Sequence, residues 1–226
     1  AEESVDMLLA TKQLLEILVI DHSNEVFLTG WSEGGGAGLA THKYLEGKYS
    51  GEFNVKGSSL FAGPYDYYGF LKDILSNQDG NNEELSIYNW SIYSLNYFNP
   101  DLNRQPNSIW SYPVENQKEA LYVPAANPAG IYQQDFLAAI TNDTDSDWLT
   151  AIRENTLLEG WIPKGNLFFH SGTDDFIVPH YNSVNAHEYF ETQNAKSKLY
   201  EYPGGDHYTP LYQYLINTIE DYNNLP

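Results

Sequence analysis

The chain has 226 residues, enough for one domain with a sizeable core or for a core plus an insertion. Aromatic residues make up 15% of it, which excludes a chain left disordered for want of apolar surface. The net charge of −20 argues against nucleic acid or an anionic membrane as partner, and the absence of cysteine excludes disulfides, thiolate metal sites and a cysteine nucleophile.

In chain order, Ser4 to Val19 reads as an amphipathic helix, with Val5, Leu8, Leu9, Leu15 and Leu18 near one face and Ser4 as N-cap. Asp21 to Asn24 is a turn cluster. Glu25 to Gly30 is a short buried strand, followed by a helix from Gly34 to Leu45 that stops near Gly47. Val55 to Gly63 is a second strand, Asn166 to Gly172 a third and Lys198 to Gly205 a fourth. A helix over Tyr181 to Thr192 separates the last two strands, and a final helix runs from Pro210 to Asp221. Short strands alternating with helices define an α/β fold, a mostly parallel sheet flanked by helices.

Pro64 to Trp161 breaks the alternation. The segment is polar and Asn-rich, yet it carries Tyr88, Trp90, Tyr93, Tyr97, Phe98, Trp110, Tyr112, Tyr122, Tyr132 and Phe136. Helices are expected over Glu83 to Phe98 and Gly130 to Thr141, with loops at Pro100, Pro106, Pro113, Pro124 and Pro128. This is a structured insertion, so the chain divides into 1–63, 64–161 and 162–226. Its aromatic residues serve as its own core, line an acyl pocket or stack on sugars. No apolar run approaches the roughly 18 residues of a membrane-spanning helix. Ala1-Glu2-Glu3 is acidic where a signal peptide is basic.

Gly30-Trp31-Ser32-Glu33-Gly34 fits the pattern G-x-S-x-G between a strand and a helix. A strand that turns sharply into a helix holds the turn residue in a strained conformation, its side chain clear of the sheet edge. Neighbouring backbone then comes close, so the positions two before and two after the serine, Gly30 and Gly34, have to be small. Gly35, Gly36, Ala37 and Gly38 let the helix start pack tightly on the sheet. The Glu33 amide, at the helix N-terminus, points at an oxyanion formed on Ser32. The same pattern also suits a Gly-rich turn without chemistry. A phosphate cradle lacks its lysine.

A serine hydroxyl needs a base to take its proton, and the base needs an orienting acid. "HSGTDDFIVP", His170 to Pro179, supplies Asp174 and Asp175 after the third strand. "YPGGDHYTP", Tyr202 to Pro210, supplies His207 after the fourth. The order Ser32, Asp175, His207 is the one this kind of site follows.

With these segments and "SLFAGPYDYYG" the chain resembles the α/β-hydrolase superfamily, most of all bacterial esterases and lipases with a large cap. The matching segments run from Glu25 to Pro210. In that family the acid follows a glycine by three residues and precedes x-x-Val-Pro; Gly172, Asp175, Val178 and Pro179 fit the frame. The resemblance therefore implies a mainly helical cap over 64–161, beside the substrate. It implies a Ser32–His207–Asp175 triad with the Glu33 amide in the oxyanion hole. It implies a small-molecule ester as substrate, no metal, no organic cofactor, and a secreted or cell-envelope location. A peptidase of the same fold and a non-catalytic module on the hydrolase scaffold remain open alternatives.

Asp174 and Asp66 are rival acids. His170 is expected to order a loop at a strand end, while His22, His42, His180 and His187 read as structural or solvent-facing. Asp143, Asp145, Asp147 and Glu154 fall at positions 1, 3, 5 and 12 of a calcium loop, but position 6 is Trp148 where the turn needs Gly, so a helix start is expected instead. The resemblance also exposes a gap. The family's nucleophile follows a fifth strand, whereas Ser32 follows the first strand recognised here. The N-terminal strands of the fold are therefore expected to be absent from this chain, leaving an upstream segment or a second chain to complete the sheet and the oxyanion hole.

Overall fold

The structure, a computed structural model, describes residues 1–77, 85–112, 119 and 127–226. Glu83, Glu84, Pro113, Tyr122 and Pro124 lie outside the described residues. The chain divides into two compact units, Ala1–Asp66 with Leu157–Pro226, and Tyr67–Thr156. The breaks fall a few residues inside the 64–161 boundaries read from the sequence.

The first unit holds one four-stranded parallel sheet in the order β1-β2-β3-β4. Its elements are α1 (Glu2–Ile17), β1 (Glu25–Trp31), α2 (Glu33–Lys48), β2 (Asn54–Phe61), β3 (Asn166–Gly172), α8 (Tyr181–Thr192), β4 (Ser197–Tyr202) and α9 (Leu211–Asn223). Period-two alternation sorts side chains onto two faces. Leu60, Leu167 and Phe169 pack with Leu39 of α2 and with Ala186 and Phe190 of α8. Val26 and Val55 pack with Leu45 of α2 and Val5 of α1. The opposite face, with Phe61, packs against Tyr214 of α9.

Several boundaries differ from the expectation. Helix α1 starts at Glu2 with Ala1 as N-cap, so Ser4 is not the cap, and Leu18 is exposed. Strand β1 is not buried: only Val26 is, because among the described residues β2 is its one strand partner. Gly47 does not stop α2, which continues to Lys48.

Helix α9 fastens β1 and β2 through two tyrosine hydroxyls. The Tyr214 hydroxyl accepts from Gly30 N at 3.2 Å, donates to Ser59 O at 2.8 Å and meets Thr29 Oγ1. The Tyr222 hydroxyl accepts from Ser59 N at 2.7 Å and reaches Leu28 O. His170 is a correction: it sits within β3, fully buried, and orders the sheet rather than a loop. Its Nε2 meets Ser59 Oγ at 2.9 Å, its Nδ1 meets Tyr202 OH at 2.8 Å, and its ring stacks on Tyr200 at 4.5 Å.

The second unit is built from α3 (Tyr67–Ser76), α4 (Leu85–Phe98), a 3-10 turn (Pro106–Ser108), α5 (Pro128–Ile131), α6 (Gln134–Thr141) and α7 (Ser146–Glu154). The single helix expected over Gly130 to Thr141 is two, interrupted where Tyr132 bridges to Trp110. Tyr88, Trp110, Tyr132 and Phe136 form part of this unit's own core, whereas Trp90, Tyr97, Phe98 and Tyr112 are exposed. Asn89 Oδ1 accepts from Trp110 Nε1 at 3.2 Å and from Tyr132 OH at 2.7 Å, which satisfies the two buried ring donors.

Burial pushes the His170 pKa down to about 3. Its unfolded value is near 6.5, so only the unfolded chain takes the proton in between. The stability this histidine contributes is full above pH ~6.5 and falls by about 1.4 kcal/mol per pH unit as pH drops towards ~3. Urea unfolding between pH 7 and 4 is expected to show that component in the wild type and to lack it in His170→Gln; equal pH slopes would contradict it.

Candidate active site

Strand β1 ends at Trp31 and α2 begins at Glu33, leaving Ser32 alone at the turn. Its φ is 59° and ψ −127°, a region that non-glycine residues rarely occupy. Three bonds hold it there: Ser32 N donates to Phe61 O at 2.9 Å, and Ser32 O accepts from Gly35 N at 2.8 Å and Gly36 N at 3.3 Å. A Cβ on Gly30 would lie 2.0 Å from Gly34 O, closer than any packing allows. Gly34 departs from the expectation, since a Cβ there would meet nothing within 4 Å. The tight contact uses the backbone of Gly34 and the missing side chain of Gly30. Further along α2, a Cβ on Gly35 would come within 3.0 Å of Phe61 O, while Ala37 faces outward. Ala62, just past the end of β2, also has a positive φ of 50°. The amide of Glu33 belongs to the first turn of α2, which no helical carbonyl reaches.

Asp175 and His207 come from the loops after β3 and β4, and both are buried. His207 Nδ1 donates to Asp175 Oδ2 at 2.7 Å. Asp175 Oδ1 accepts from the amides of Ile177 and Val178, each at 2.9 Å. Three donors thus satisfy the buried carboxylate, as a buried charge requires. The local sequence explains the approach of the two loops. A Cβ on Gly172 would lie 2.2 Å from Gly205 O, so only glycine lets the histidine loop settle on the end of β3. Asp174 N donates to Gly205 O at 2.9 Å and Gly204 N to Thr173 Oγ1 at 2.8 Å. Asp206 folds the histidine loop: its Oδ1 accepts from Tyr208 N at 2.8 Å and Thr209 N at 2.7 Å. Those amides hold its pKa below the usual carboxylate value.

Trp31 joins the two halves of the site. Its Nε1 donates to His207 O at 3.0 Å, and its ring lies 5.4 Å from the His207 imidazole. Trp31 fills a position that the G-x-S-x-G pattern leaves open, so the pattern carries no signal for its contact with the histidine loop. The Ser32 hydroxyl makes no hydrogen bond among the described residues. Trp31, Phe176 and Tyr208, each next in sequence to one of Ser32, Asp175 and His207, are all exposed.

The rival groups are placed elsewhere. Asp174 is exposed, and Asp66 accepts from Asn185 Nδ2 at 3.2 Å. His42 is buried between Ser58 Oγ at 2.7 Å and Glu46 Oε1 at 3.0 Å. His22 bonds Ile20 O at 3.2 Å, His180 meets Glu201 at 2.9 Å and His187 meets Ser197 at 2.9 Å. The acidic run after Asn142 is the start of α7: Asp145 N-caps it and takes the Arg104 guanidinium, while Asp143 takes Lys72 and Tyr68. Among the described residues no group of three or more His, Asp or Glu is arranged to hold a metal. Nor is any described helix long and apolar enough to cross a membrane. A cleft of about 380 Å³ in the second unit, between Tyr67, Leu95 and Phe98, contains none of Ser32, Asp175 and His207.

No protein-family model and no curated protein matches the sequence. Solved structures do. A G231F mutant of the rice cell wall degrading esterase LipA from Xanthomonas oryzae matches with a TM-score of 0.81 at 18% identity, covering 97% of this chain and 63% of that one. The wild-type LipA structure matches with a TM-score of 0.77 at 18% identity, covering 96% of this chain and 62% of that one. Candida antarctica lipase A matches with a TM-score of 0.71 at 16% identity, covering 91% and 49%. The chain therefore has the α/β-hydrolase fold found in these esterases and lipases. It spans less than two thirds of the length of the LipA chains.

The contact between residues 30 and 34 is one-sided, and that asymmetry is testable. Gly30→Ala is expected to lose about 3 kcal/mol of stability through overpacking. Gly34→Ala is expected to be neutral or to gain up to about 1 kcal/mol, as alanine does in a helix. Urea denaturation of the two variants checks both, and equal losses would contradict the geometry.

Proposed function

We propose that this protein is a serine hydrolase that cleaves carboxylic esters through Ser32, His207 and Asp175. The observation that carries the reading is the buried His207–Asp175 bond of 2.7 Å, tied through Trp31 to the strained turn of Ser32. The esterase and lipase names of the structural neighbours support the substrate class.

In this reading Ser32 Oγ attacks the acyl carbonyl carbon while His207 Nε2 takes the hydroxyl proton. Asp175 keeps the proton of Nδ1 in place and stabilises the imidazolium that forms. The carbonyl oxygen gains the negative charge, and the Glu33 amide donates to it. The tetrahedral intermediate then collapses. The C–O bond to the alcohol breaks, and His207 delivers its proton to the departing oxygen. Water repeats the sequence in reverse, releasing the acid and restoring Ser32. In this reading a second oxyanion donor comes from an upstream segment or a second chain that completes the sheet. Losing one such donor typically costs about 10²–10³ in rate.

A fluorophosphonate probe is expected to label Ser32, as read by peptide mass spectrometry, and His207→Ala is expected to abolish labelling. With a p-nitrophenyl ester panel, Ser32→Ala should lower kcat by about 10⁴ or more and Asp175→Asn by about 10³–10⁴. Undiminished hydrolysis in Ser32→Ala would sink the assignment. Absence of labelling would favour a non-catalytic module.

A further inference from the structure

We propose that Trp31 is a positioning residue that fixes the His207 imidazole relative to Ser32; this inference rests on the hydrolase reading of the site. Asp175 holds the imidazole at Nδ1 only, and one hydrogen bond leaves a ring free to rock about it. Trp31 supplies two further restraints. Its indole N–H donates to the backbone carbonyl of His207 at 3.0 Å, which fixes the loop. Its ring packs against the imidazole at 5.4 Å and 41°, while Tyr208 closes on the indole at 5.5 Å and on the imidazole at 5.3 Å.

What makes Trp31 more than loop packing is its place in the chain. It is covalently joined to Ser32, and its backbone pairs with Phe61, the residue whose carbonyl takes the Ser32 amide. A displacement of the nucleophile turn therefore displaces the indole, and the indole carries the histidine loop with it. Serine and histidine come from segments 175 positions apart, at opposite ends of the unit's sequence. One side chain keeps their separation constant. Reacting groups need alignment to within an ångström, and misplacement on that scale costs up to about 10² in rate.

The first test needs no substrate and no substitution. Hydrogen exchange followed by NMR should show the Trp31 indole N–H exchanging at least about tenfold more slowly than that of Trp90, an exposed indole with no hydrogen bond among the described residues. Exchange at the Trp90 rate would overturn the proposal. The second test is Trp31→Phe, which keeps a ring and removes the donor. It is expected to lower kcat about ten- to a hundredfold on a p-nitrophenyl ester, with KM within about twofold and Tm within about 3 °C. The His207 Nδ1 proton resonance should broaden through faster solvent exchange. Unchanged kcat, or a loss confined to KM, would overturn the positioning role. A wild type that neither hydrolyses esters nor labels at Ser32 would refute the hydrolase reading instead, and the indole exchange rate would still report whether Trp31 holds the histidine loop.

Discussion

The site depends on one close approach: the backbone of Gly34 against the missing side chain of Gly30. Because residue 30 has no Cβ, helix α2 can begin one residue after the serine, and Ser32 is forced to φ 59°. Strain of this kind costs of order 1–3 kcal/mol and persists only where the surroundings over-determine it. Here they do. Three backbone bonds fix the turn, and the 16-residue α2 buries Leu39 and Leu45 completely. Each buried leucine stabilises by about 1.5–3 kcal/mol, so the packing of the helix outweighs the strain of its first turn.

The same logic of missing side chains governs the other half. Gly172 leaves room for Gly205 O, and the loops after β3 and β4 then interlock through Asp174 N and Gly204 N. This brings His207 to a carboxylate that already has two amide donors. Asp174 differs from Asp175 by one position and has none of this. It faces solvent and receives only the Thr173 hydroxyl at 3.2 Å. The alternation of exposed and buried positions in the loop sends one of two adjacent acids inward and the other out.

Much of this was legible in the sequence. All four strands, and the helix over Tyr181–Thr192, follow from apolar runs bounded by turn residues, because local patterning and tertiary demand agree there. The G-x-S-x-G spacing reports the turn, since backbone proximity acts through residues four apart. Other features were hidden for definite reasons. Val26 is the one buried residue of β1, yet Glu25 to Gly30 is apolar enough to read as a buried strand. Hydropathy does not say which strand has one partner. The G-x-S-x-G spacing treats positions 30 and 34 alike, whereas the three-dimensional contact has Gly34 supply the atom and Gly30 the space. Trp31 was illegible as a contact because its partner lies far along the chain, and a single sequence carries no information about such pairs.

The unit contains three hydrogen bonds between a serine hydroxyl and an imidazole ring, Ser58–His42, Ser59–His170 and Ser197–His187, and none of them involves Ser32 or His207. Proximity of the two residue types is therefore a poor guide to chemistry in this protein. What separates the groups is access and electrostatics. Ser58 and Ser59 are fully buried, so no carbonyl can reach their oxygens. His170 cannot take a proton near neutral pH, because burial among Tyr200, Tyr202 and Tyr214 disfavours its charged form. His42 has a carboxylate in Glu46, but that group also accepts the amides of Lys164 and Gly165 and serves to tie α2 to the start of β3. Ser32 instead stands half-exposed at the end of β1, and His207 bonds the buried Asp175 carboxylate. The Ser32 hydroxyl has no hydrogen bond among the described residues, and under the proposed hydrolase reading that leaves it open to a substrate before a base engages it.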